Sequence, residues 1–136
     1  MLNDAARAAL TSGRLAHLVT INPDGSPQVS CVYVTLDGDE IVCGHLAEHR
    51  KVKNVRRDPR VALSMEAEGS SGPGFSHYLT VEGTASVVEG GAPSLLRRIM
   101  VDYFGTDSSF PPPGAPEGYV IRIRPRRLYG VGPWGS

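Results

Sequence analysis

Two turn signals govern what the first third of this chain can become. Asn22-Pro23-Asp24-Gly25-Ser26 and Asp37-Gly38-Asp39 each join runs of alternating, β-prone residues. A turn that short sends the chain back antiparallel to itself, whereas a parallel return needs a crossover of a dozen residues or more. The pattern predicts strands over Arg14 to Ile21, Gln28 to Leu36 and Glu40 to His45, a three-stranded meander. On the first of these, Leu15, His17, Val19 and Ile21 alternate onto one apolar face, which makes His17 a hydrogen-bonded core residue.

Further strands are expected over Arg60 to Met65 and Tyr78 to Val88, with Gly83 marking a bulge or bend in the second. Two more close the chain, Tyr119 to Ile123 and Arg127 to Val131. Asn3-Asp4 caps a short helix through Ala5 to Leu10, with Gly13 placed to end it. Pro93 opens a second helix that runs to Phe104, with Leu95, Leu96, Ile99, Met100 and Tyr103 as its apolar stripe and Gly105 as its stop. Gly69 to Gly74 and the Pro-rich stretch Thr106 to Gly118 read as loops. Sixteen Gly and eleven Pro suit that density of turns. Helices inserted among antiparallel hairpins make a mainly β, α+β domain: one small antiparallel barrel over residues 1–136, and not a doubly wound sheet.

Composition removes several classes of function. A formal net charge of zero argues against nonspecific nucleic-acid binding. No apolar run approaches the roughly 20 residues that cross a bilayer. Met1-Leu2-Asn3-Asp4-Ala5 lacks the basic start and apolar stretch of a signal peptide, so a cytoplasmic protein is expected. In that compartment Cys31 and Cys43, both in strands, read as small core residues. His17, His45, His49 and His77 have no metal-ligand spacing, and no catalytic triad stands out.

The charge that is present is concentrated. Arg50 to Arg60 holds six of the fourteen Lys and Arg residues in eleven positions, between two strands. With Arg50 at zero on a helix advancing about 100° per residue, Val52 and Val55 fall at roughly 200° and 140°. That centres the buried face between them and leaves Arg50, Asn54 and Arg57 toward solvent. Lys51 is in the first turn beside the protein surface, where unpaired amides and the positive end of the helix dipole favour an anion. A solvated basic face is the competing reading.

The run Arg50-Lys51-Val52-Lys53-Asn54-Val55-Arg56-Arg57-Asp58-Pro59-Arg60-Val61-Ala62-Leu63 resembles the R-K-x-x-N-L-R-R-D-P-R-V-x-L signature of the pyridoxamine 5′-phosphate oxidase-like split β-barrel proteins. The likeness extends to Leu18-Val19-Thr20-Ile21, to Asp24 through Ser30, to Val81-Glu82-Gly83-Thr84-Ala85 and to Leu128-Tyr129-Gly130. Within that family the chain is most similar to the branch that uses the deazaflavin coenzyme F420, with FMN as the alternative cofactor. The resemblance implies an oxidoreductase passing a hydride between coenzyme and a small organic acceptor, or else a protein that binds the coenzyme without turnover. It also implies a homodimer with cofactor sites at the interface. By position, Lys51 grips the phosphate, with Arg50 and Asn54 beside it and His49 in a lesser part. Gln28, Ser30 and Val32 lie along the ring, and His45, Leu46 and Ala47 line the turn into the phosphate site. Trp134 is either an aromatic wall lent across the dimer or an anchor for the tail. Arg122 and Arg124 either grip the coenzyme's glutamyl tail or are ordinary surface, the favoured reading. Arg57 reads as solvated charge.

Overall fold

The computed structural model describes residues 1–105 and 109–135. Along the chain it contains α1 (Asp4–Leu10), β1 (Ala16–Ile21), β2 (Pro27–Val32), β3 (Thr35–Asp37), β4 (Glu40–His45), α2 (Arg50–Arg57), β5 (Arg60–Ser70), β6 (Ser76–Glu89), α3 (Ala92–Phe104) and β7 (Tyr119–Val131). The strands form one antiparallel sheet in the order β2-β1-β5-β6-β7-β4-β3. Of the loop expected over Thr106 to Gly118, positions 106–108 lie outside the described residues.

The sheet order dictates a barrel. β2 and β3 stand at opposite edges, yet only Tyr33 and Val34 lie between them in the chain. Three Cα steps reach about 11 Å at most, so the two edges must come together and the sheet must curl. The single strand expected over Gln28 to Leu36 is therefore two strands, with Tyr33-Val34 as the bend where the chain changes edge. The interior is filled by Leu18, Ile41, Cys43, Leu63, Met65, Val81, Ile121 and Ile123.

The two short helices close the ends. α1 packs with Trp134 near the level of Ala16, Met65 and Leu79, and its first turn is held by the Asn3 side chain, which accepts from the Ala6 amide at 2.8 Å. α2 packs near Thr20 and the Glu89–Tyr119 pair at the opposite end. A helix of eight residues is not stable by itself. Val52 and Val55, 0% and 2% exposed, hold it to the barrel with about 1.5–3 kcal/mol of burial each.

Three expectations are corrected. The inward residues of β1 are Ala16, Leu18 and Thr20, and His17 is exposed. Alternation assigns two faces but does not say which one is inside; Leu18 faces Leu63 and Ala16 faces Met65 across the β1–β5 ladder, and that contact decides it. Cys31 lies opposite His17 on the outer face and is exposed, while Cys43 is buried. The last two strands are one, with Pro125 inside it. The ladder pairs Glu82 with Arg127 and Gly83 with Pro125, so Arg126 is an extra residue and the proline's missing N–H falls at a bulge.

Gly83 is needed there because a Cβ would lie 2.5 Å from the Arg124 carbonyl oxygen. Gly83→Ala should cost about 2 kcal/mol, read as a lower urea midpoint with an unchanged slope.

Candidate functional site

α2 begins at His49, whose backbone is extended and whose side chain makes no capping bond, and ends as the Asp58 amide donates to the Asn54 carbonyl at 2.8 Å. Its buried residues are Val52, Asn54 and Val55. Asn54, expected on the solvent side, is 1% exposed. Its amide nitrogen donates to Thr20 Oγ1 at 3.0 Å and to Asn22 Oδ1 at 3.1 Å, and its oxygen accepts from Arg57 at 3.1 Å. A run of three polar partners lets a carboxamide be buried where apolar counting puts it outside. Including Asn54, the buried arc centres at roughly 120°, which puts Lys51 in the middle of it. Lys51 is half-buried.

The six cations of the basic run divide in two. Arg56 pairs with Glu48 and Glu89 and lies 5.1 Å over the Tyr119 ring. Arg57 is exposed, and it also donates to the Ile21 carbonyl and to Asn54, so the charge read as solvated is a tether as well. Arg60 pairs with Asp58 at 2.7 Å. At the helix start, Arg50, Lys51 and Lys53 have no ion pair or side-chain hydrogen bond among the described residues. The charge left over is therefore the charge beside the Arg50 and Lys51 amides, which have no backbone acceptor among the described residues, whereas the His49 and Val52 amides are taken by the Ala47 and His49 carbonyls.

Beneath Lys51 is the end of β4. The His45 ring is buried, its Nε2 3.3 Å from Cys43 Sγ, with the His49 ring edge-on at 6.4 Å between centroids. Burial, then the charges of Lys51 and His49, push His45 down to about 3. Burial pushes the Cys43 thiol up to about 12, against a smaller opposite pull from Lys51. The two side chains form a neutral pair, not an ion-pair nucleophile. Leu46 is half-buried and Ala47 exposed, and the Ala47 carbonyl accepts from the His49 amide at 2.9 Å. The strand end is clasped by Gly118, whose φ is +62° and whose Cβ would sit 2.2 Å from the His45 carbonyl oxygen.

The other expected residues separate. Gln28 and Ser30 are half-buried on the inward face of β2, but the Val32 side chain is 6% exposed and belongs to the core. Of the two readings of Trp134, its packing is that of a tail anchor: it is 6% exposed, its Nε1 donates to the Tyr78 carbonyl at 2.8 Å, and it lies edge-on to His77. Arg122 is held by Asp37 at 2.8 Å and Glu40 at 2.7 Å, and Arg124 reaches Glu40 at 3.7 Å, which leaves Arg122 neutralised as surface clasp. Thr20, 0% exposed, is the site-facing residue that sequence reasoning missed. Its signal was Asn54 itself, a poor helix former between two buried valines.

A family model described as pyridoxamine 5′-phosphate oxidase matches residues 2–132. The chain belongs to that family. An F420 reductase superposes with a TM-score of 0.74 at 25% identity, over 90% of this chain and 94% of that one. A conserved hypothetical protein from Mycobacterium tuberculosis gives 0.72 at 28% identity, over 94% and 83%. A candidate pyridoxamine 5′-phosphate oxidase from Listeria innocua gives 0.63 at 26% identity, over 90% and 91%. The fold is that of the oxidase-like split barrels.

The residues present fit a planar, phosphate-bearing coenzyme of the kind such barrels hold. Arg50, Lys51 and the first-turn amides suit the phosphate. On β2, Ser30 Oγ is shut from solvent without a hydrogen-bond partner among the described residues, an unmet polar group on the face beside Gln28. Cavities of about 380 Å³ between α3, β4 and β7, and about 450 Å³ between α1 and Trp134, are lined by neither Lys51 nor β2.

His45 imposes a pH dependence. The folded protein holds the ring neutral down to about 3, whereas the unfolded chain takes up a proton below its ordinary value of 6.5. The unfolded state then binds more protons, so stability is full above that value and falls as pH drops through the window, by up to about 1.4 kcal/mol per pH unit. Urea midpoints from pH 7 to pH 4 should show this slope, and His45→Gln should remove it.

Proposed function

We propose that this protein is a coenzyme F420-dependent oxidoreductase acting on a small organic acceptor, as a homodimer with its coenzyme sites at the subunit interface. One observation carries the reading: half of the basic run is tied to acidic and backbone partners at the surface, and the half with no ion pair among the described residues stands in the N-terminal half of α2. The likeness to the F420 reductase, at 25% identity over nearly the whole of both chains, supports the deazaflavin over FMN. When bound, a deazaflavin supplies hydride exchange at a ring carbon, so the protein's task is binding, orientation and exclusion of water.

Lys51 and the α2 amides hold the phosphate, with Arg50 and Lys53 adding to the local positive field. Gln28 and Ser30 meet the ring edge along β2. Neutral His45 and Cys43 keep the floor beneath Lys51 free of competing charge. A second protomer covers the ring.

Titration with F420 should quench coenzyme fluorescence with micromolar-range affinity, and reduced coenzyme should be consumed with a quinone, nitro or enone acceptor. FMN binding without deazaflavin binding would transfer the reading to a flavin enzyme. Tight binding with no turnover across a broad acceptor screen would make it a coenzyme-binding protein. Lys51→Ala should weaken coenzyme binding by about 30- to 150-fold, or 2–3 kcal/mol. Arg56→Ala, which removes a committed cation, should change the dissociation constant less than threefold.

A further inference from the structure

Thr20 and Asn54 are both closed to solvent and bonded to each other, and the bonds around them take their direction from an obligate donor, Arg57. A guanidinium only donates, so Arg57 fixes Asn54 Oδ1 as its acceptor, at 3.1 Å. The Asn54 amide nitrogen must then face Asn22 Oδ1 and Thr20 Oγ1. One branch continues from the Asn22 amide nitrogen to Ser26 Oγ at 3.2 Å and from there to Asp24 at 2.5 Å, ending on a carboxylate, which only accepts. That branch therefore runs from an obligate donor to an obligate acceptor.

On the other branch, Thr20 Oγ1 receives from Asn54 and, being closed to solvent, needs an acceptor for its own proton, which Gln28 Oε1 supplies at 3.1 Å. With its oxygen turned to Thr20, Gln28 carries its Nε2 donors away from Thr20, on the half-buried face of β2 that also holds Ser30, whose hydroxyl has no partner among the described residues.

We propose that Arg57, Asn54 and Thr20 are positioning residues that hold the Gln28 carboxamide with its NH₂ toward the ligand, so that β2 selects a ring edge presenting a hydrogen-bond acceptor. The carbonyl oxygens of a pyrimidinedione are such an edge. This rests on the coenzyme reading above for the identity of the ligand, but not for the orientation of the amide. The same chain of bonds ties the phosphate-binding helix to the ring-binding strand, so the two grips are set in one register.

The test separates those two layers. In the coenzyme-free protein, nitrogen-15 NMR of the Gln28 side-chain amide reports its engagement. Thr20→Val, equal in shape but without a hydroxyl, should move that NH₂ pair toward free-carboxamide positions, and Thr20→Ser should restore it. Asn54→Asp removes the donors that face Thr20, so the hydroxyl turns toward position 54 and the Gln28 amide inverts; it serves equally if Thr20→Val fails to fold. With F420 and FMN as probes, Thr20→Val, Asn54→Asp and Gln28→Glu should each raise the dissociation constant tenfold or more, while Thr20→Ser stays near wild type. An unmoved Gln28 amide in a folded Thr20→Val or Asn54→Asp protein overturns the proposal, as does tight binding by Gln28→Glu. Failure of the wild type to bind either probe overturns the oxidoreductase reading, and the amide signal still decides the positioning.

Discussion

A link of two residues between opposite edges of a sheet is the constraint on which this molecule depends. Because Tyr33 and Val34 must carry the chain from β2 to β3, the sheet cannot stay open. Curling gives the barrel an interior, and the interior gives α1 and α2 two ends to close. Closure also explains why β2 has an inward face at all: an edge strand of an open sheet would leave Gln28 and Ser30 on a surface, with no reason to be half-buried.

The second organising influence is the division of charge along α2. Arg56, Arg57 and Arg60 bind Glu48, Glu89, Asp58 and backbone, and so fasten the C-terminal half of the helix to the strands around it. Exposed pairs of this kind add little stability each. What they do is leave the N-terminal half as the place where positive charge and unsatisfied amides coincide. Tether and anion site are made from one short sequence, separated by a single turn of helix.

Turn chemistry and alternation make most of the strands, all three helices and the Gly83 irregularity legible in the amino-acid sequence. The errors share a cause, which is that local patterns are blind to what lies across the sheet. His17 and Leu15 look inward by alternation because alternation has no sign, and Leu63 and Met65 supply it. Asn54 looks outward by helical position because its partners Thr20 and Asn22 are more than thirty positions away. Trp134 is ambiguous until the Tyr78 carbonyl is seen to receive its N–H. The place of Lys51 in the first turn of its helix is legible because helical geometry is local; the β4 residues beneath it are not.

The bulge at Gly83 and Pro125 carries a consequence for the end of the chain. Before it, the odd-numbered residues Ile121 and Ile123 point inward; after it, the even-numbered Leu128 packs on the core while Arg127 and Tyr129 are exposed. Arg126 is thus a phase shifter. It reverses the parity of β7 midway, which is why one strand reads as two. A protein shortened by that one residue would alternate without a break from Pro125 to Arg127 to Leu128, with Leu128 still opposite Val81 on the core side, and its last strand would read as one.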